Sequence, residues 1–125
     1  RVLIEDARRH QISLLAPCVN ESTRRFQVIN DNTIRFGLEA IKGVGGGAAD
    51  ALVEIRDTLD SKAFESAQDV FVEGAAVHVN KGTFESMVKA GCFDLFNKSR
   101  IEMLRNLEND LKIASSAAKD KQKGQ

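Results

Sequence analysis

Apolar positions recur along this chain at two different periods, and the period changes mark the elements. Ile12-Ser13-Leu14-Leu15-Ala16 reads as a strand that Pro17 ends. Phe26-Gln27-Val28 and Ile34-Arg35-Phe36 alternate apolar and polar, the period of a strand. Asn30-Asp31-Asn32 between them is turn chemistry, so the pair is expected to form a hairpin. Before these strands, Val2, Leu3, Ile4 and Ala7 share a helical face. Arg8, Arg9 and His10 stand near its C-terminal end, where cations suit the helix dipole.

After Phe36 the period becomes helical. Gly37 to Lys42 predicts a short helical turn, and Ala48, Leu52, Ile55 and Leu59 fall on one stripe of a longer helix. Asp57 to Ala63 is a polar connection. Ser66 is placed to cap a short helix carrying Val70 and Phe71, with Asp69 three residues on. Gly74 to Val79 reads as a loop with His78 facing solvent. Asn80 caps the next helix, in which Phe84, Met87 and Val88 share a face, and Gly91 ends it. Cys92 to Phe96 is a second tight connection with Phe93 and Phe96 as core anchors. Ser99-Arg100-Ile101-Glu102 is a capping box for the last helix, which Ile101, Leu104, Leu107 and Leu111 follow. Ser115 to Gln125 is small, polar and Lys-rich, and is expected to fray.

The chemistry of interest lies in Lys42-Gly43-Val44-Gly45-Gly46-Gly47. Gly43 and Gly45 permit backbone angles or close approaches that a side chain penalises. Gly45 to Gly47 offer no Ser, Thr, Asp or Asn as an N-cap, so the first amides of the following helix are left over at its electropositive end. A phosphate is the natural guest there. Three other readings compete. Gly43-x-Gly45-x-x-Ala48 fits a dinucleotide fingerprint, but no apolar strand follows Leu59. A P-loop lacks its Gly-Lys-Ser/Thr ending. A bare glycine turn between two packed helices remains open. At the second connection Ser99 satisfies the amides itself, which makes it the poorer phosphate site.

Composition narrows the choice. Lys plus Arg equals Asp plus Glu at 18 each, a balance unlike the basic footprint of a strongly electrostatic nucleic-acid binder. A hairpin that works through backbone amides needs less net charge. Cys18 and Cys92 have no Cys or His at metal-ligand spacing, which predicts no metal and two buried or indifferent thiols in a reducing, cytoplasmic setting, with a disulfide between them the lesser alternative. No run is apolar enough to span a bilayer, and no Ser, His and Asp are placed together for catalysis. The start at Arg1, inside a helical pattern, suggests an excised segment.

Ile34 to Gly45, read IRFGLEAIKGVG, resembles the "IRFGL-x-AIKGVG" signature of the bacterial DNA polymerase III alpha subunit family. Pro17 to Ser22 resembles its "PDVNxS" step with Cys18 in place of Asp, and Phe64 to Val72 its "FxSLxDF". Val79-Asn80-Lys81 with Phe84 to Asp94 resembles "VNK…LESLIKAGAFD", Cys92 replacing Ala. Matching segments run in order from about Arg1 to Ala114.

The resemblance implies the end of the fingers region over residues 1–36, a tandem helix-hairpin-helix region over 37–114, and a flexible tail over 115–125. The fold class expected is mostly α with a small antiparallel β element, an α+β chain. The resemblance further implies that the hairpins contact the sugar-phosphate backbone of double-stranded DNA without reading sequence. The residues it assigns to DNA are Lys42, Gly43, Val44, Gly45, Gly46 and Gly47, then Lys81, Lys98 and Arg100. Gly46 stands where the family often has an acidic or polar residue. The resemblance implies a parent chain that is a DNA-directed DNA polymerase, a nucleotidyltransferase of DNA replication, whose catalytic palm is not represented here. No cofactor is implied for this segment. The remainder of the polymerase is an expected partner, as is the sliding clamp through a motif cut off near Gly124-Gln125. The alternative function is a structural scaffold of the polymerase without DNA binding of its own.

Overall fold

The computed structural model describes residues 11–123. The expected helix over Val2 to Ala7, with His10, lies outside the described residues, as does Gly124-Gln125. Three short strands come first: β1 (Ser13–Leu15), β2 (Gln27–Asn30) and β3 (Thr33–Arg35). The hairpin forms, with β2 antiparallel to β3 and the Asn30 side chain accepting from the Asn32 N–H at 3.0 Å to close the turn. The sheet order is β1-β3-β2, and β1 runs parallel to β3, pairing Leu14 with Ile34. The sheet is therefore mixed rather than purely antiparallel. None of its strand residues is fully buried.

Among the described residues four helices form the body: α1 (Gly46–Thr58), α2 (Ala67–Ala76), α3 (Lys81–Ala90) and α4 (Arg100–Lys123). The caps fall where their chemistry places them. Ser66 accepts from the Asp69 N–H at 3.1 Å, Asn80 from Thr83 at 2.8 Å, and Ser99 from Glu102 at 3.3 Å. Gly91 closes α3 in the left-handed region at φ 88°.

The core joins α2, α3 and α4. Phe71 meets Phe84 edge-on at 5.1 Å between ring centroids and Phe93 at 5.6 Å. Phe93 is buried, while Phe96 is half-buried and stacks on it.

Four expectations are corrected. Gly74 belongs to α2 rather than to a loop, and only the turn around Val77 and exposed His78 follows it. The reason is packing: the Phe84 ring occupies the space where a Cβ on Gly74 would stand. The buried face of α1 is Ala49, Leu52 and Arg56, with Ile55 and Leu59 half-buried at its margin, so the stripe is turned from the one expected. That helix also runs through Asp57 and Thr58, so the polar connection starts at Leu59. Residues 115–123 continue α4 instead of fraying. Alanine is the best helix former, and here Ala114 and Ala118 are buried. Gln68 donates to the Asp110 carbonyl and Lys121 pairs with Glu73 at 3.2 Å, so α2 lies along α4 over that stretch.

Buried Arg56 ties the first third of the chain to this body. Its guanidinium donates to the carbonyls of Val19 at 3.1 Å and Ser22 at 2.6 Å. The segment around it is fastened by further hydrogen bonds. Ser22 Oγ accepts from the Cys18 N–H and donates to the Phe36 carbonyl, and Asn20 exchanges two hydrogen bonds with the Phe64 backbone. Leaving one such buried group unpaired costs about 1–3 kcal/mol, which makes this segment a hub and not a loop.

Candidate nucleic-acid interface

The glycine hairpin stands on three buried anchors. Leu38, in a single 3-10 turn at Leu38–Ala40, is fully buried, and Ile41 and Val44 follow it into the core. The turn is fastened by the Leu38 N–H to the Thr23 carbonyl at 2.9 Å and the Glu39 N–H to the Arg24 carbonyl at 3.0 Å. Val44 N–H to the Ile41 carbonyl at 3.0 Å closes the hairpin, with Gly43 at φ 98°. A Cβ on Gly43 would also meet Ser86 Oγ at 2.5 Å, so the hairpin rests against α3.

Gly45 behaves otherwise. Its φ is −77°, an angle open to any residue, and a Cβ there would meet nothing within 4 Å. Gly45 is the N-cap of α1 and supplies no side-chain bond, so the first helical bond runs from the Ala49 N–H to the Gly45 carbonyl at 3.0 Å. The amides of Gly46, Gly47 and Ala48 precede it with no capping side chain. The space around Gly47 is equally open, and Lys42 is exposed on the turn. The expectation of a strained or crowded Gly45 is thus replaced: its missing side chain leaves the helix end uncovered.

Arg24 stands over Gly46, where a Cβ would collide with its guanidinium. It pairs with Glu39 and, at 3.1 Å, with Asp50. The hydrogen bond from Arg24 holds the Glu39 carboxyl below its ordinary range, and the same contact raises Arg24. Nothing in the periodicity marks Arg24; Thr23-Arg24-Arg25 ahead of the strand was the one available signal.

Lys42 through Gly47 form the hairpin itself, whereas the other residues assigned to DNA belong to α3 and to the turn and first residue that open α4. Arg100 is engaged by Asp94, Nε to Oδ1 at 3.0 Å and Nη2 to Oδ2 at 2.5 Å, and it also donates to the Lys89 carbonyl. The hydrogen bond from Arg100 to its carboxylate keeps Asp94 below the usual carboxylate range. Lys98 is exposed in the turn before α4. Lys81 opens α3 and lines a groove with Lys112 and Lys119 of α4. At the second connection Ser99 meets one amide, the Glu102 N–H at 3.3 Å, and among the described residues no bond returns from the Glu102 carboxylate, so half of the expected capping box forms.

Cys92 is buried, and burial, reinforced by Cys18 and Asp94, pushes its thiol up to about 12. It is an inert thiol. Among the described residues no group of His, Cys, Asp and Glu is arranged to hold a metal ion. No described helix is long and apolar enough to cross a membrane.

An uncapped glycine hairpin opening a helix, followed by a second helical pair, defines the class. Residues 11–103 match the model of the helix-hairpin-helix motif, and the chain belongs to that family. Within it, the chain aligns with one particular protein, DNA polymerase III subunit alpha. It is 37% identical over 95% of its length to the subunit of Chlamydia pneumoniae and 38% over 88% to that of Aquifex aeolicus. With the subunit of Haemophilus influenzae it shares 32% over 98%. The chain spans about a tenth of the length of these curated relatives, 9%, 9% and 10% respectively. The resemblance drawn from the IRFGL and AIKGVG residues agrees with these relatives.

Proposed function

We propose that this segment grips the backbone of double-stranded DNA, without sequence preference, on behalf of a replicative polymerase. The observation that carries the reading is the start of α1: an N-cap glycine with no capping bond and open space at Gly45 and Gly47. The amides of Gly46, Gly47 and Ala48 would donate to one phosphate at the electropositive end of the helix. Lys42 adds a mobile cation, and the Arg24 guanidinium stands beside Gly46. Hydrogen bonds to a charged group contribute about 1.5–3 kcal/mol each, enough to position a duplex weakly. Such contacts fix register and carry no sequence information. Lys98 contributes at most one further contact, and Arg100 serves first to hold Asp94. On this reading DNA synthesis belongs to the whole cytoplasmic subunit, and this segment supplies none of the catalytic carboxylates. The sliding-clamp contact rests on the resemblance alone.

Gly45→Asp tests the hairpin. Its backbone is already that of an N-cap, so a carboxylate there takes the free amides and repels phosphate. Thermal stability should hold or rise by a few tenths of a kcal/mol. Anisotropy on two unrelated labelled duplexes should show affinity falling about tenfold on both, an effect near 1.4 kcal/mol. Unchanged affinity would sink the hairpin reading.

The scaffold reading has one observation of its own. Phe26, Val28 and Ile29 are more than half exposed around an edge strand. That surface suits packing against the remainder of the polymerase.

A further inference from the structure

We infer that the groove between the start of α3 and the outer half of α4 is a second phosphate-backbone site, a lysine row for a polyanion. It does not rest on the hairpin reading. Lys112, Ser115, Ser116 and Lys119 follow at helical spacing along one face of α4, and Lys81 reaches the same groove from α3. The groove measures about 400 Å³ and has Leu111 in its lining.

Charge distribution carries the argument. The chain holds as many acids as bases, 18 of each. Among the described residues it pairs two lysines elsewhere, while Lys42, Lys62 and Lys98 stand singly without an ion pair; what sets the groove apart is that three such lysines converge on it. Lys121 meets Glu73 at 3.2 Å and Lys89 meets Glu85 at 3.1 Å. Among the described residues, Lys81, Lys112 and Lys119 form no ion pair. Glu108, the one carboxylate on the lining, forms none either. Three cations facing one groove without a partner repel one another, and an anion between them removes that cost.

The shape selects the kind of anion. Lys112 and Lys119 are seven residues apart, about 10 Å along the helix. That equals the axial rise of about three base pairs, at about 3.4 Å each, so the two ammonium groups reach different phosphates of one duplex. The lining is exposed at every lysine and serine, so it offers no enclosed pocket for a small phosphorylated molecule. A row of mobile ammonium groups with two hydroxyl donors matches a run of phosphodiesters instead.

The test uses the chain with Lys81, Lys112 and Lys119 all changed to Gln, a good helix former, and a companion with all three changed to Arg. Binding of a labelled 20-base-pair duplex (about two helical turns) is followed by anisotropy over a series of salt concentrations. The Gln variant should lose at least tenfold in affinity at low salt. Its slope of log affinity against log salt should be shallower by about 2–3, since each neutralised phosphate contributes about 0.9. The Arg variant should keep both, which separates charge from any loss of folding. Gly45→Asp should retain the lysine-dependent slope; if it also retains full affinity while the Gln variant does not, the hairpin reading fails and the groove stands. An unchanged slope and affinity in the Gln variant overturns the groove, and so does an absence of duplex binding by the parent chain. Polyglutamate competing as well as duplex at equal charge overturns its assignment to phosphate.

Discussion

Gly43 and Gly45 are two residues apart, yet only the first has a backbone that demands glycine. Gly43 lies at φ 98° with Ser86 against its α-carbon, so any side chain is strained there. Gly43→Ala should lower stability by about 1–2 kcal/mol from the left-handed backbone alone, read as a shift in a denaturant midpoint at constant slope. Gly45→Ala, at φ −77° with open space, should change stability by less than about 0.5 kcal/mol. Equal losses in the two variants would contradict this division. The sequence placed a bend among these glycines but not at which one, because φ is set by the anchors Leu38, Ile41 and Val44 on either side. Arg56 teaches the same lesson. Its charge argued for solvent, yet its guanidinium is buried, with the carbonyls of Val19 and Ser22 more than thirty residues away as acceptors.

At the scale of elements, local rules served best at helix starts. Ser66, Asn80 and Ser99 cap as their chemistry required, since a cap needs only a residue and an amide three positions on. Helix ends and faces depended on neighbours. Gly74, which reads as a breaker, lies inside α2 because the Phe84 ring packs where its side chain would be. Gly74→Ala should therefore destabilise by about 1–3 kcal/mol despite alanine's better helix propensity. The check is a melting comparison with Gly74→Ala combined with Phe84→Leu, where the smaller side chain should recover part of the loss. A Gly74→Ala protein as stable as the parent would refute the contact. The outer part of α4 was underestimated because its lysines and serines suggested solvent, while Ala114 and Ala118 supply a buried seam one turn apart.

Across the whole molecule the stable body is helical, and the sheet is an appendage. No strand residue is fully buried, and Phe26 and Val28 are 57% and 68% exposed. Replacing both by Thr should move the unfolding free energy by less than about 0.5 kcal/mol, measured by urea titration. A loss above about 2 kcal/mol would show that the sheet is part of the core. The assembly also brings Lys81 beside Lys112 and Lys119, a juxtaposition invisible in a chain of zero net charge.

The sequence by itself determined what depends on neighbours within about four positions, namely the alternating strands, the Asn30-Asp31-Asn32 turn, the caps and the uncapped start of α1. It also determined the family, through motifs that need only their order along the chain. Tertiary structure alone decided which face of α1 turns inward, that β1 joins β3 in parallel, that Gly74 sits inside a helix, and which lysines converge. These outcomes depend on contacts between residues tens of positions apart, where burial and steric fit outweigh local propensity.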